Sequence, residues 1–165
     1  SLLRRSLEAV PAEEFAQVTV VTQYDAAAAL AEEFGFTVVR NDRPEDGLSR
    51  TVRLGTEAMA GCGAILYQVA DQPLLEQETV RRELEYFRTH PDHIVGLAHN
   101  GVRGNPCIFP RKFFPELMAL EGDVGGSAVI RAHPDALLLY ETSAAELRDV
   151  DTVEALAAVQ EDRQI

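Results

Sequence analysis

Short apolar runs alternate with helical patterns along this chain. VTVVT (18–22) is β-branched and brief, which predicts a buried strand. DAAAALAEEFG follows as a helix, with Asp25 as the expected N-cap and Gly35 as the stop. FTVVR (36–40) predicts a second strand and NDRPEDG a turn-rich loop. A helical pattern covers 48–59, and GAILYQVA (63–70) predicts a third strand. A helix over about 76–88 and a strand over 93–98 come next. This order predicts a mostly parallel α/β sheet with helices on both faces.

The pattern then changes. Asn100-Gly101 lies between two apolar stretches, a hairpin signal, so antiparallel pairing is expected near residues 93–110. KFFPELMAL and DVGGSAVIRAH predict two short helices, DALLLYE a strand and TVEALAAVQEDR a closing helix. No repeat or linker interrupts the series, which predicts one domain over residues 1–165. At the start, Leu2, Leu3, Leu7 and Val10 share one helical face. In a βαβ architecture such a helix follows a strand. Either the fold starts on a helix, or the native protein is longer and its first strand precedes Ser1.

Composition narrows the function. With 165 residues, 46% of them hydrophobic, the chain can bury a core. A formal net charge of −12 argues against gripping a nucleic-acid backbone, which needs a basic face. An anionic ligand remains compatible if a divalent cation accompanies it. No apolar run is long enough to span a bilayer and no signal-peptide pattern opens the sequence. Cys62 and Cys107 form no C-x-x-C and read as reduced, packed thiols, so a cytoplasmic location is expected. His90 and His93, around Pro91, read as solvated turn residues.

Two acidic stretches are the candidates for chemistry. Asp71 follows a predicted strand, where open α/β sheets bind ligands, and Pro73 stops the strand ladder. Its carboxylate can hold a divalent metal or cap the following turn, and this residue alone does not separate the two. Asp149 and Asp151 alternate around Val150, so in extended backbone both point to one face. Thr152 or Asp151 can cap the last helix, with Glu154 in its first turn. Capping accounts for one of these residues and leaves a second carboxylate over. Magnesium is held by one or two carboxylates plus phosphate oxygens and water. Asp71 and one of the pair meet that demand if the two stretches are close in space.

ADQPLL after a strand, RGNPCIFPRKFFPEL, GDVGGSAVIRAHP and DVDTVEAL occur here in the order found in the MobA-like nucleotidyltransferases. The sequence most resembles their molybdenum cofactor cytidylyltransferase branch, including accessory proteins of molybdenum hydroxylases. NDRPEDGLSRTVRLG is similar to that branch's loop and helix. The resemblance implies a Rossmann-like three-layer α/β/α fold of the nucleotide-diphospho-sugar transferase type. It implies Mg²⁺-dependent transfer of a nucleotidyl group, cytidylyl favoured, from a nucleoside triphosphate such as CTP to a phosphorylated pterin acceptor. Pyrophosphate is released, and a molybdenum hydroxylase apoenzyme is a possible recipient of the product. Asp71 and Asp151 are implied as catalytic metal ligands, with Asp149 as the other candidate. Gly47, Ser49 and Thr51 fall on the nucleobase side, Asn105 and Asp123 on the acceptor side. Arg50 and Asn105 depart from the residues commoner at their positions.

A larger departure lies at the start. Such enzymes open with a strand and a Gly-rich loop that cradles the triphosphate, and nothing in residues 1–165 matches it. The expectation is a longer native chain carrying both. Guanylyl transfer, transfer to a sugar-phosphate type of acceptor, and a non-catalytic accessory role in hydroxylase maturation are the competing readings.

Overall fold

The β-branched residues of β1 (Thr19–Thr22) and β2 (Thr37–Arg40) pair in parallel, Thr19 opposite Thr37, in the computed structural model, which describes residues 1–150. α2 (Asp25–Glu33) is the crossover between them. It ends as expected at Gly35, whose φ of +79° lets the chain reverse while the Phe36 amide donates to Ala31 at 2.9 Å. Asp25 is not the N-cap. Tyr24 holds that position, and Asp25 lies in the first turn with its carboxylate turned to Arg40. The charge still suits a helix N-terminus, so the sequence signal is off by one position.

The other four strands form one sheet in the order β3-β5-β4-β6. β3 (Ala64–Tyr67), β4 (Ile94–His99) and β6 (Leu137–Glu141) run one way, and β5 (Val102–Pro110) alone opposes them. The expected hairpin produces that reversal. Asn100 and Gly101 take φ of +51° and +79°, and both amides donate at 2.9 Å to the Glu141 carboxylate.

Alternate strand residues face two cores. Ile65, Cys107 and Phe109 pack against α5 (Phe114–Met118) and α6 (Ser127–Ala132), with Val52 of α3 (Leu48–Ala58) and Met59 at its C-cap beside them. Leu66 and Leu97 face the opposite way, onto Val80 of α4 (Gln77–Arg88) and Ala9 at the end of α1 (Leu2–Glu8). Helices thus cover both faces of a mostly parallel sheet with one antiparallel element, the expected three-layer α/β architecture. β1 and β3 are not hydrogen-bonded to each other, so the six strands among the described residues fall into a pair and a foursome.

His90 and His93 are half-buried rather than solvated, because the His90 ring packs on Tyr86 with centroids 4.4 Å apart. Among the described residues no helix is long and apolar enough to cross a membrane. The expected closing helix, with Thr152 and Glu154, lies outside the described residues.

Candidate active site

Asp71 stands four residues beyond the end of β3, half-buried, with its Oδ1 atom shielded from solvent. Its backbone carbonyl accepts a hydrogen bond from the Val150 amide at 2.9 Å. The acidic stretch near the chain's end therefore reaches the Asp71 turn, as a shared site requires. Asp149 is exposed beside it, and Asp151 lies outside the described residues. The simplest capping role for Asp71 does not apply to α4, whose N-cap is Glu76.

The turn is braced by residues the sequence reading did not single out. Gln72, 3% exposed, donates through Nε2 to the Asn105 carbonyl at 2.8 Å and the Glu146 carbonyl at 3.2 Å. The Glu146 carboxylate accepts from the Glu76 amide at 3.2 Å and from the Ser143 and Thr142 hydroxyls. These contacts lock together the start of α4, the Asp71 turn and the segment leading to Asp149. Nothing local marks them, because each partner is distant in sequence.

On the side expected to meet the nucleobase, Gly47 caps α3 at φ +87°. A Cβ there would stand 2.7 Å from the Gly122 carbonyl oxygen, so only glycine permits this approach. The Ser49 amide donates to that oxygen at 3.2 Å, and the Leu48 amide donates to Asp123 Oδ1 at 3.1 Å. Asp123, expected on the acceptor side, thus holds the first turn of α3. Gly47, Ser49 and Asp123 are brought together. The Ser49 hydroxyl is buried, whereas Thr51 Oγ1 accepts from Asn41 Nδ2 at 3.3 Å. Asn41 in turn receives the Arg43 amide at 3.0 Å, which shapes the loop. Arg50 pairs with Asp42 at 2.7 Å, and its hydrogen bond holds that carboxyl below its ordinary range.

Asn105 and Thr51 line a common cavity of about 880 Å³. Arg103, unnoticed in the sequence, lines it too and donates to Ser127 Oγ at 2.8 Å. Only the two-residue spacing from Asn105 along β5 hinted at a shared face. Burial pushes the Cys107 thiol up to about 11 and the Tyr67 hydroxyl up to about 12, so both stay protonated near neutrality. Both cysteines are free thiols. Among the described residues no group of three or more His, Cys, Asp or Glu is placed to hold a metal. Of the candidate metal ligands, Asp71 and Asp149 lie among the described residues.

The fold recurs in solved structures. Rv0371c from Mycobacterium tuberculosis H37Rv superposes with a TM-score of 0.76 at 21% identity, over 98% of this chain and 84% of its own. A further structure of Rv0371c is a complex with manganese, at 22% identity and TM-score 0.76 over 98% of this chain and 87% of its own. A 4-diphosphocytidyl-2C-methyl-D-erythritol synthase from Anaerococcus prevotii gives 0.80 at 14% identity, over 100% of this chain and 86% of its own. No curated protein matches the sequence. The sequence profile of the MobA-like NTP transferase domain matches residues 1–137, more than four-fifths of the chain. The protein belongs to the MobA-like NTP transferase family and is a nucleotidyltransferase.

Proposed function

We propose that this protein moves a nucleotidyl group, cytidylyl in preference to guanylyl, from a nucleoside triphosphate to a phosphorylated pterin acceptor, releasing pyrophosphate, with Mg²⁺ as cofactor. The observation that carries the reading is the hydrogen bond from the Val150 amide to the Asp71 carbonyl. It brings the backbone of the second acidic stretch to the turn that follows β3, on the side where α/β sheets bind ligands. Hard carboxylate oxygens fit magnesium, which takes one or two of them and completes its shell with phosphate and water. Asp71 and Asp151 would hold the ion, with Asp149 of the same acidic stretch as the alternative second ligand. When bound, the metal neutralises charge on phosphate oxygens and aligns the two substrates.

The chain's own residues do the orienting. Asn41, Gly47 and Thr51 form the edge expected to meet the base, with Ser49 fixing it from within. Asn105 and Arg103 face the acceptor, and the Arg103 guanidinium offers planar donors suited to phosphate. Gln72 and Glu146 position the Asp71 turn. A solved relative's complex with manganese supports a divalent ion, and a relative solved as a CMP-octonic acid synthetase complexed with CTP supports the base. The pterin acceptor rests on the resemblance of the sequence motifs to the molybdenum cofactor cytidylyltransferase branch. A molybdenum hydroxylase apoenzyme is the natural recipient of such a product. The free cysteines suit the cytoplasm.

Calorimetric titration of the protein with CTP and GTP tests this directly. CTP is expected to bind only with magnesium and at least tenfold more tightly than GTP. Asp71→Asn should lower metal-dependent pyrophosphate release by on the order of 100-fold, about 2.7 kcal/mol, with an unchanged circular dichroism spectrum. Failure of both nucleotides to bind would sink the proposal. Survival of turnover in the variant would reduce Asp71 to a turn residue.

A further inference from the structure

The loop from Asn41 to Gly47 joins β2 to α3, and the polar side chains at its two roots are occupied or buried. Asn41 donates through Nδ2 to Thr51 Oγ1 at 3.3 Å and accepts the Arg43 amide on Oδ1 at 3.0 Å. The Ser49 hydroxyl is buried. Arg50 and Asp42 are arranged differently. Arg50 reaches back from the first turn of α3 across the loop, and its Nη2 donates to Asp42 Oδ1 at 2.7 Å. The Arg50 side chain is 24% exposed and that of Asp42 73%, so a sheltered guanidinium holds a carboxylate that stands in solvent.

Stability does not account for this pair. An exposed ion pair adds little to folding, and this one leaves Arg50 Nε shielded from solvent with no hydrogen-bond partner among the described residues. What the pair provides is a fixed order of hydrogen-bonding groups. The guanidinium is a rigid fork of donors with no acceptor. Beside it, the Arg50 hydrogen bond holds the Asp42 carboxyl below its ordinary range, so near neutrality that group is ionised and only accepts. The order is donor, donor, acceptor, with Oδ1 engaged by Arg50 and Oδ2 left to a ligand. Cytosine presents the complement along one edge, where O2 and N3 accept and the N4 amine donates. Uracil does not, because it carries N3–H where cytosine accepts, and its O4 would meet the carboxylate. The N1–H and N2–H of guanine lie side by side and call for both oxygens of one carboxylate, one of which Arg50 holds.

We propose that Arg50 and Asp42 read the base together, the guanidinium donating to cytosine O2 and N3 while Asp42 accepts from the N4 amine. Selectivity for cytosine then lies in the pairing rather than in either residue alone. Arg50 aims the carboxylate and occupies the oxygen that guanine would need, and Asp42 fixes the direction of the fork. This inference rests on the cytidylyl preference proposed above and on the loop's meeting the base.

Calorimetry of the protein with CTP, UTP and GTP, each with magnesium, tests the pair, and circular dichroism checks that every variant folds. The unaltered protein should prefer CTP to both others by about tenfold or more, the discrimination that one bidentate contact gives. Arg50→Met keeps the sheltered stem, removes the fork and frees both Asp42 oxygens. CTP should then weaken by about tenfold, and GTP should bind as well as CTP or better. Arg50→Lys keeps the charge without the fork and should lose the preference too, which a purely electrostatic or structural role would not produce. Asp42→Ala should bring UTP level with CTP, because the carboxylate no longer opposes O4. An unchanged order of affinities in Arg50→Met and Asp42→Ala overturns this inference and leaves the nucleotidyl transfer standing. Equal weakening of all three nucleotides also overturns it, since the guanidinium then meets phosphate. Binding of no nucleotide by the unaltered protein, or a preference for GTP or UTP, overturns this inference together with the cytidylyl reading.

Discussion

A Cβ at position 47 would sit 2.7 Å from the Gly122 oxygen and 2.9 Å from the Asp123 Cα, in a residue already at φ +87°. Gly47→Ala should therefore cost about 1–3 kcal/mol, measured by urea denaturation, and should weaken nucleotide binding more than it weakens the fold. Asp123→Ala removes the carboxylate that accepts from the Leu48 amide. Loss of that cap is expected to cost about 0.5–2 kcal/mol. Because the two residues serve one junction, their effects should be non-additive in a double-mutant cycle. At this scale the sequence was informative where a residue type is rare for a local reason. Asp71 after an apolar run stood out, while Gly47 was marked only by the family resemblance of its loop. Gln72, Glu146 and Arg103 did not, because their work depends on partners 33, 70 and 24 positions away.

α4 carries an element-scale oddity. Glu83 is fully buried on the face that also presents Val80 and Leu84, and neither carboxylate oxygen has a partner among the described residues. Burial raises its pKa well above the ordinary 4.5. The folded state then keeps the proton at pH values where the unfolded chain has released it. Stability falls as pH rises from 4.5 toward the raised value. Glu83→Gln should flatten that dependence, and Glu83→Met should raise stability at neutral pH by about 1–3 kcal/mol. Denaturation curves at pH 5 and pH 8 check both, the gain being larger at pH 8. The periodicity of this helix was plain in the sequence, but a glutamate facing the sheet was not, since a charged residue in an amphipathic pattern is ordinarily read as outward. The reversed strand β5 was legible because Asn-Gly is a backbone signal that needs no distant partner. Its insertion between β3 and β4 was not, because strand order is decided by pairing across the whole sheet.

For the whole molecule, alternation of strands and helices was enough to expect three layers, while nothing in the hydrophobic pattern showed that the strands divide into two sheets. That division has a consequence for ligand binding. Asn41 follows β2 and its amide donates to the Thr22 carbonyl at 2.9 Å, so the loop proposed to meet the base is anchored to the smaller sheet. Asp71 follows β3 in the larger one. A nucleotide that met both would couple two loops carried by strands distant in the fold, so CTP with magnesium should slow backbone hydrogen exchange at Asn41 and around Asp71 together, which exchange measured with and without the nucleotide checks.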